Sequence, residues 1–386
     1  MTTVEILDKS LNKITEVKNL YPLNNNGMIL RYSKELSDYG ECRFRIKSND
    51  PIFDQFGDIT EPHAYHIRIK RDGTTVWQGA IIDNPQRTKD FIEVIGYQYL
   101  YYLDKLLIKR SSNNPATNEA DGIYRIFNSG TMSSAISTII TEVQTAIGGN
   151  HPLDAITAGT IENPDYPTGF TDGTTALTGA WSFSDTVALQ YDFHTVYYVI
   201  KSFGIYTDAD FEVDNNLVFN FKKFLGNKVT NITFQYGTRG NVIDYNAPRL
   251  GRRMVNDLWG IATDSYGKIY HIEQSDTDSI NHYGKLEDAT AYADVKDNNF
   301  LRTRINNDLR YTKTPDDAPL NLLLNEKGYP LGQYDIGDLV DVVIKDNIID
   351  INTKRRVVGI TVNVHNTGRE IVTVQTNKPR DVDLVA

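Results

Sequence analysis

His63 and His66 are the closest pair of histidines in this 386-residue chain, so they are the first residues to consider for metal binding. Imidazole nitrogen is a common metal ligand. On an extended strand, however, two residues three positions apart point to opposite faces, so shared ligation would need a turn at Pro62 and a carboxylate from elsewhere. We therefore predict no metal site and no cofactor. The other histidines have no ligand-like spacing: His151, His194, His271, His282 and His365.

Paired carboxylates are the second candidate chemistry, in Asp276-Thr277-Asp278 and Asp316-Asp317. A glycosidase needs one protonated acid and one ionised carboxylate about 5–10 Å apart. These acids lie in turn-like contexts that favour Asp for local reasons. The sequence also lacks a Gly-x-Ser-x-Gly elbow, a phosphate-binding loop, a His-Glu-x-x-His motif and a dinucleotide fingerprint. We predict that the chain is not an enzyme and has no catalytic residues.

The cysteine content and the N-terminal sequence indicate the cellular compartment in which the protein is made. The single cysteine, Cys42, excludes an internal disulfide, and it lies in an alternating run from Glu41 to Ile46 that predicts a packed, reduced thiol. No stretch approaches the roughly 20 apolar residues that span a bilayer. The first 14 residues contain acids where a signal peptide has basic residues. We expect a soluble protein that is made in the cytoplasm.

Charge and aromatic content leave two questions open. The net charge is −10, and no clustered Lys and Arg indicate phosphate binding. This acidity would suit a surface that DNA passes without sticking, or it would merely keep the protein soluble. The chain has 23 tyrosines, four of them in the segment from Tyr97 to Tyr102. Such density indicates subunit interfaces or plain strand packing, and less strongly carbohydrate stacking.

The first hundred residues predict β structure. Ile67 and Ile69 alternate with polar residues, Asp72-Gly73 suits a tight turn, and a return strand follows. The run from 90 to 108 predicts a strand that leads through Gly96 into a short apolar helix.

The middle of the chain predicts an α-rich insert. Residues 111–130 resemble a linker, and a helix follows that ends at Gly148-Gly149. A long loop, 150–185, contains Trp181 and Phe183. A second helix ends at Gly204, and a hairpin over 211–224 turns at Asn215-Asn216. The apolar stripes of the two helices are Ile136, Ile139, Ile140, Val143 and Ile147, then Val196, Val199, Ile200 and Phe203.

From Val229 onward β structure returns, interrupted by a polar helical piece near 294–324 that Pro315 and Pro319 end. Alternation over Ile360, Val362 and Val364, then over Ile371, Val372 and Val374, predicts C-terminal hairpins. The predicted class is β-rich α+β, with two tube-forming, barrel-like domains and an intervening α-rich insert. The predicted bounds are 1–110 for the first barrel, 111–224 for the insert, 225–293 plus 330–386 for the second barrel, and 294–329 for a helical segment within it.

Several short motifs, in one order along the chain, resemble the tail hub family of long-tailed phages. The resemblance covers most of the sequence, but the match is poor over 111–185. Family members often continue into a fibre, peptidase or lysozyme region after the last strand, whereas this chain stops at Ala386, which assigns such roles to partners. The matching elements are Val76-Trp77-Gln78-Gly79, Ile95-Gly96-Tyr97 leading into Leu103–Leu107, the Thr195-Val196 helix leading into the 211–222 hairpin, Ser279, Ile280, Tyr283, Gly284, Glu287, the helix around Asn298–Leu309, and Ile336-Gly337-Asp338-Leu339-Val340.

The resemblance implies a structural virion protein at the distal end of the tail. Three copies with two barrels each would make a pseudo-sixfold ring that closes the tail tube and lets DNA pass without specific binding. The implied partners are a second and third copy of the chain, the distal tail or tail tube protein, the tape-measure protein, a tip fibre or spike and, indirectly, the host cell surface. The alternatives are a hexameric distal tail ring protein, a carbohydrate-binding adsorption protein that uses Trp181, and a cell-wall hydrolase.

Overall fold

The structure is a computed structural model, and strands make up most of its regular structure. The predicted β-rich α+β class is confirmed. None of the helices in the described part is both long enough and apolar enough to cross a membrane. The residues that the structure describes are 2–108, 124–127, 129–147, 156–166, 170, 176–184, 189–192, 194–238, 240–248, 251–263, 268–292, 295, 298–314, 319–325, 331–347 and 349–380.

The first β region folds as its alternating pattern predicts. The predicted hairpin is confirmed, and its turn residues Asp72 and Gly73 have φ angles of 48° and 84°. The elements are β1 (Thr2–Leu7), β2 (Lys13–Val17), β3 (Leu20–Tyr21), β4 (Met28–Glu35), β5 (Glu41–Lys47), α1 (Pro51–Phe56), β6 (His66–Arg71), β7 (Thr74–Asp83), β8 (Phe91–Gln98) and α2 (Leu100–Leu103).

These strands follow one another in a path of pairings that the chain itself, rather than a pairing, closes between β2 and β3. β1, β6, β7, β8 and β5 pair antiparallel in that order. β2 pairs with β1, and β3 pairs with β5. Because β2 runs almost directly into β3, the two together return the path to its start. We call this path the first circuit.

The insert contains both predicted helices. The stripe from Ile136 to Val143 is buried, which confirms the first of these helices. The side chain of Ile147, Gly148-Gly149, His151 and the linker residues 111–123 lie outside the described residues. The elements are β9 (Tyr124–Phe127), β10 (Gly130–Thr131), α3 (Met132–Ile147), β11 (Thr157–Ile161), β12 (Ser182–Phe183), β13 (Leu189–Asp192), α4 (Val196–Thr207), β14 (Asp210–Val213) and β15 (Val218–Lys222).

Two predictions about chain reversals in the insert are wrong. α4 continues through Gly204 to Thr207, and its C-cap Asp208 takes the left-handed conformation at φ 53°. Gly204 is needed for another reason, because a Cβ there would lie 2.8 Å from the Ala209 carbonyl oxygen. In the hairpin, the positive φ falls on Leu217 rather than on the two asparagines. The Asp214 carboxylate shapes that turn by accepting from the N–H groups of residues 216 and 218.

The C-terminal third is mainly β. The predicted helical piece contains α6, but Leu320–Leu324 form a strand because alternate leucines there are buried. Pro315 lies outside the described residues. The elements are β16 (Thr233–Gln235), β17 (Val242–Asn246), a 3-10 turn (Gly251–Arg253), β18 (Asp257–Thr263), β19 (Ile269–Ser275), α5 (Thr277–Tyr283), β20 (Glu287–Tyr292), α6 (Asn298–Arg310), β21 (Leu320–Leu324), β22 (Leu339–Lys345), β23 (Asp350–His365) and β24 (Glu370–Asn377).

Six of these strands make a second closed path, the second circuit. β22, β23, β24, β21 and β17 pair antiparallel in that order. β16 pairs parallel with β22. A parallel bridge between Tyr236, directly after β16, and Val242, the first residue of β17, completes the path.

β4 joins the two circuits. One edge of β4 pairs with β5, and the other pairs with β23 in a register from Glu35 opposite Gly359 to Leu30 opposite Val364. One hydrophobic core accordingly includes residues of both circuits.

A second hydrophobic core fills the insert, and residues of β18, β20 and α6 share it, among them Leu258, Tyr292 and Ile305. β18 and β20 thus pack with the insert through Leu258, Ala262 and Tyr292, although the sequence pattern assigned these residues to the second barrel. The domain bounds stay a prediction.

Candidate interface on the three-stranded sheet

β18 is the centre of a small sheet in which β19 pairs antiparallel on one side and β20 pairs parallel on the other. α6 covers one face of this sheet. The approach is close at Gly260, where a Cβ would lie 2.3 Å from the Cδ1 atom of Ile305. Alternate residues of β18, beginning with Leu258, face the helix and are buried.

The opposite face of this sheet is exposed, and it combines apolar side chains with His271 and Glu273 of β19, which the register places opposite Ile261 and Trp259. Trp259 is 36% exposed, Ile261 41% and Ile269 65%. The register places Ala289 and Ala291 of β20 beside the first two. A solvent-facing sheet surface normally carries polar side chains, so an apolar one indicates a contact with another molecule. We name these five residues the Trp259 face.

One end of this face carries charge. The Lys285 Nζ atom lies 2.5 Å from Asp257, 2.6 Å from Glu287 and 3.7 Å from Glu273. The hydrogen bond to Asp257 is the main cause that raises the pKa of Lys285 above its usual value, and the bond to Glu287 adds to it. Three carboxylates around one ammonium leave this end of the face negative.

The segment that resembles the tail hub family holds this sheet in place. Asp276 caps α5 by accepting from the Ser279 N–H at 2.8 Å, and it pairs with Lys313 at 2.9 Å. The Lys313 ammonium and the Ser279 amide lower the pKa of Asp276. Asn256 donates to the Gly284 carbonyl at 2.8 Å and accepts from the Leu286 N–H. The motif is therefore structural, since its polar groups fix the connection from β19 to β20.

The described histidines do not converge on a metal site. No group of three metal-ligating side chains occurs among the described residues. His66 is fully buried on β6 with its ring 5.7 Å from that of Tyr99, while the His63 ring lies 6.0 Å from Tyr102.

The remaining described histidines contact other groups. His194 stacks on Tyr198 at 4.4 Å, and His271 stacks near Trp259 at 6.4 Å. His282 touches the Tyr283 ring, and His365 Nδ1 lies 3.2 Å from the Asn26 carbonyl.

The predicted acids have separate roles. Asp276 is a helix cap, Asp278 is exposed in the first turn of α5, and Asp316-Asp317 lie outside the described residues. Cys42 is fully buried, as predicted, and burial raises the pKa of its thiol.

The aromatic candidates divide into core and surface. Tyr99 and Tyr102 are buried, whereas Tyr97 and Tyr101 are partly exposed and stack at 5.2 Å. Trp181 is fully buried, with its ring 4.8 Å from that of Tyr166 and similarly close to Phe170 and Phe300. A buried indole offers no surface to a sugar, so the adsorption alternative loses the residue on which it depended.

Sequence reasoning missed an acidic cleft of about 430 Å³ between β4 and the insert hairpin. Burial raises the pKa of Glu35 and of Glu212, with Asp38 adding to the effect at Glu35 and Asp214 at Glu212. The carboxylates that line this cleft come from three stretches that are far apart in the sequence, so no local motif indicates the cleft. The Trp259 face was also missed, although Leu258, Trp259 and Ile261 are apolar on both sides of one strand.

Comparison with known proteins gives similarity at the level of structure. No family model matches this sequence, and no curated protein matches it. The 43 kDa tail protein of prophage MuSo2 from Shewanella oneidensis matches with a TM-score of 0.60 and 12% identity, over 99% of this chain and 98% of that one. A tail protein from Neisseria meningitidis MC58 matches with a TM-score of 0.60 and 11% identity, over 99% and 98%.

A third structure extends the comparison to another host. The prophage tail protein gp18 from Listeria monocytogenes EGD-e matches with a TM-score of 0.53 and 10% identity, over 99% of this chain and 97% of that one. At such identities the likeness concerns the fold, and it extends over nearly the full length of each pair. The chain therefore has the fold of these phage tail proteins, which confirms at that level the resemblance found in its sequence.

Proposed function

We propose that this chain is a structural subunit of a phage tail tip, namely the hub that closes the end of the tail tube as a ring of three copies. The observation that carries the proposal is the full-length likeness to prophage tail proteins, which covers 99% of the chain. A shared fold does not by itself fix a role. The role rests on the internal arrangement of the chain.

That arrangement is the pair of circuits joined through β4. We interpret each circuit as one barrel-like, tube-forming domain. Three subunits with two barrels each would present six similar units to a sixfold tube, while the insert would repeat only three times toward a threefold tip. The partners would be the distal tail or tube protein, the tape-measure protein and a tip fibre or spike, and the subunit would reside in the virion.

The acidic composition supports passive passage of DNA. Each chain carries a net charge of −10, so three copies carry three times that charge. Duplex DNA has one charge per ~1.7 Å of axis, and it is repelled by an acidic wall. Screening beyond ~8 Å confines this repulsion to near contact. Acidic residues on the channel wall of an imaged ring would support the idea, and their restriction to the outer surface would contradict it.

The acidic cleft favours a second candidate function, cell-wall hydrolysis. Its support is the raised pKa of Glu35 and Glu212 in one cavity, because such groups cluster at catalytic sites. Turnover of peptidoglycan by the purified protein, lost on Glu35→Gln or Glu212→Gln, would establish it. We favour the structural role and expect no turnover.

The mass of the purified protein in solution tests the proposal. Light scattering coupled to size exclusion, run at several concentrations, should give three times the 43.7 kDa chain mass. Imaging should then show a ring with six similar units. A sixfold mass would contradict the trimer and favour the hexameric distal ring protein. A monomer at every concentration would contradict a ring that forms without the tube.

A further inference from the structure

The Trp259 face is only partly covered within the described part of the chain, where His271 stacks near Trp259 and Ile269 is 65% exposed. Five of the nine large hydrophobic side chains exposed there lie between residues 259 and 286. We propose that this face is one half of the contact between successive subunits, and that it receives the segment 222–229 of a neighbouring copy of the same chain. The inference rests on the proposed ring.

Charge identifies the kind of surface that fits. Asp257, Glu273 and Glu287 surround the one ammonium of Lys285 at the end of the face, and Asp288 is exposed beside them. A partner that buries the apolar residues must therefore bring positive charge to this end. Otherwise the excess carboxylates would lose water without compensation.

The segment 222–229 has the complementary composition. It contains three lysines and no acidic residue, and we name it the basic segment. Lys223 already pairs with Asp165 at 2.7 Å, so the charge offered to a neighbour is that of Lys222 and Lys228. Val229 at its end is 87% exposed, the largest value among the large hydrophobic side chains of the described residues. An exposed valine directly after Lys228 matches an apolar face with a negative end.

The basic segment is held in one conformation. The Asp338 carboxylate accepts from the Asn227 N–H at 2.7 Å and from its side-chain amide at 2.9 Å. The Leu339 N–H donates to the Asn227 carbonyl at 3.0 Å. A preformed segment loses little conformational entropy on docking, so the contact costs less to form.

The symmetry of a ring favours a second copy over a different protein. A closed ring is built from two different patches on one chain, each of which meets the other on the next subunit. The Trp259 face and the basic segment are two such patches, with opposite charge.

Tryptophan fluorescence reports directly on the contact. Trp77 and Trp181 are fully buried, so an aqueous quencher such as acrylamide reaches Trp259 alone among the three tryptophans. In wild-type protein, quenching should decrease as concentration rises and the ring forms. In Val229→Asp, quenching should stay high at all concentrations. Ile243→Asp, at a side chain that is 48% exposed on β17, is the matched control and should behave as wild type.

Charge reversal tests the pairing. Glu287→Lys and Lys228→Glu should each weaken association at least about tenfold, or 1.4 kcal/mol, and the double variant should restore it. Far-ultraviolet circular dichroism confirms that each variant folds.

Three results would overturn the inference while the ring stands: a wild-type ring whose Trp259 remains quenchable, protection that persists in Val229→Asp, or charge reversals that do not compensate. In the first case the face belongs to another tail component. If the wild-type protein forms no ring at any concentration, it is the self-assembling ring of the proposed function that is contradicted, rather than the pairing of these two patches.

Discussion

Asp210 and Arg356 form a two-pronged ion pair that ties the insert to β23, with Nη2 to Oδ2 at 2.5 Å and Nη1 to Oδ1 at 3.3 Å. Both side chains are almost completely buried. Arg356 also donates to the carbonyls of Leu225 and Gly337, and Arg380 reaches Asp210 at 3.1 Å. The buried guanidinium is thus neutralised and hydrogen-bonded, which is the arrangement that low-dielectric surroundings require.

Removing one partner of this pair should be costly. Asp210→Asn leaves Arg356 charged and buried without its carboxylate, and should lower the free energy of unfolding by about 3–5 kcal/mol. Urea denaturation measures the loss. Asp165→Asn is the control, since it breaks an exposed pair with Lys223 at 2.7 Å and should cost less than about 1 kcal/mol. Equal losses in the two variants would contradict the assigned role.

Replacing the buried and the partly exposed tryptophan should lower the stability of the fold by different amounts. Trp181→Ala removes a fully buried ring from an aromatic cluster, and should lower the free energy of unfolding by about 3–5 kcal/mol. Trp259→Ala, measured on dilute protein, should cost clearly less, because the ring of Trp259 is 36% exposed and less apolar area returns to water when it is removed. A loss for Trp259 as large as that for Trp181 would show that the Trp259 face is covered within the subunit.

Asp276 should stabilise the fold in a pH-dependent manner. Lys313 and the Ser279 amide hold its pKa below the ordinary value of 3.8, so its contribution is present above that pH and disappears as pH falls through the folded pKa. Asp276→Asn should cost about 1 kcal/mol at pH 7. The cost should shrink in strongly acidic solution. Urea midpoints at both pH values check this, with Asp278→Asn as the neighbouring control, and a cost independent of pH would refute it.

Glu212, in contrast to Asp276, should lower the stability of the fold at neutral pH. Burial raises its pKa above the ordinary 4.5, so the folded state favours the protonated form and loses stability as pH rises through the window above that value. Glu212→Gln should therefore raise the urea midpoint at pH 7 and leave it unchanged in acid. Substitution of the exposed Glu61 is the control. A destabilised Glu212→Gln protein at neutral pH would indicate that the carboxylate has a favourable partner.

Two glycines allow the energetic cost of steric crowding to be measured separately from the cost of backbone strain. Gly337 has φ 88°, and a Cβ there would lie 2.0 Å from the Leu225 carbonyl oxygen, whereas Gly73 has φ 84° with nothing within 4 Å. Gly73→Ala should cost about 1–2 kcal/mol for the left-handed backbone alone. Gly337→Ala should cost clearly more, because the chain near Leu225 must also move. Equal urea midpoints for the two variants would mean that the chain near Leu225 moves away from the added Cβ without cost.

Sequence patterns predicted the local structure well where one physical constraint dominates. Alternation located the β6–β7 hairpin and the C-terminal strands, and the 3.6-residue period located α3 and α4. Predictions failed where two constraints compete for one residue. Gly204 serves close packing within a helix rather than the end of that helix, and the Asp214 side chain decides where the hairpin turns.

The candidate interface could not be derived from the sequence because it depends on which surfaces remain uncovered. Trp259 and Trp181 both lie among apolar residues, yet one is exposed and the other fully buried. The difference arises from α6, which packs on one face of the small sheet and, through Phe300, on the ring of Trp181. Contacts between segments that are so far apart along the chain leave no pattern in the local sequence.

β4 has a mechanical consequence as well as a topological one. Its hydrogen bonds to β23 run parallel to the sheet over the register from Leu30 to Glu35. A force that pulls one circuit along the direction of β4 therefore loads these bonds together in shear, rather than breaking them one after another. Along that direction the two circuits consequently respond as one unit.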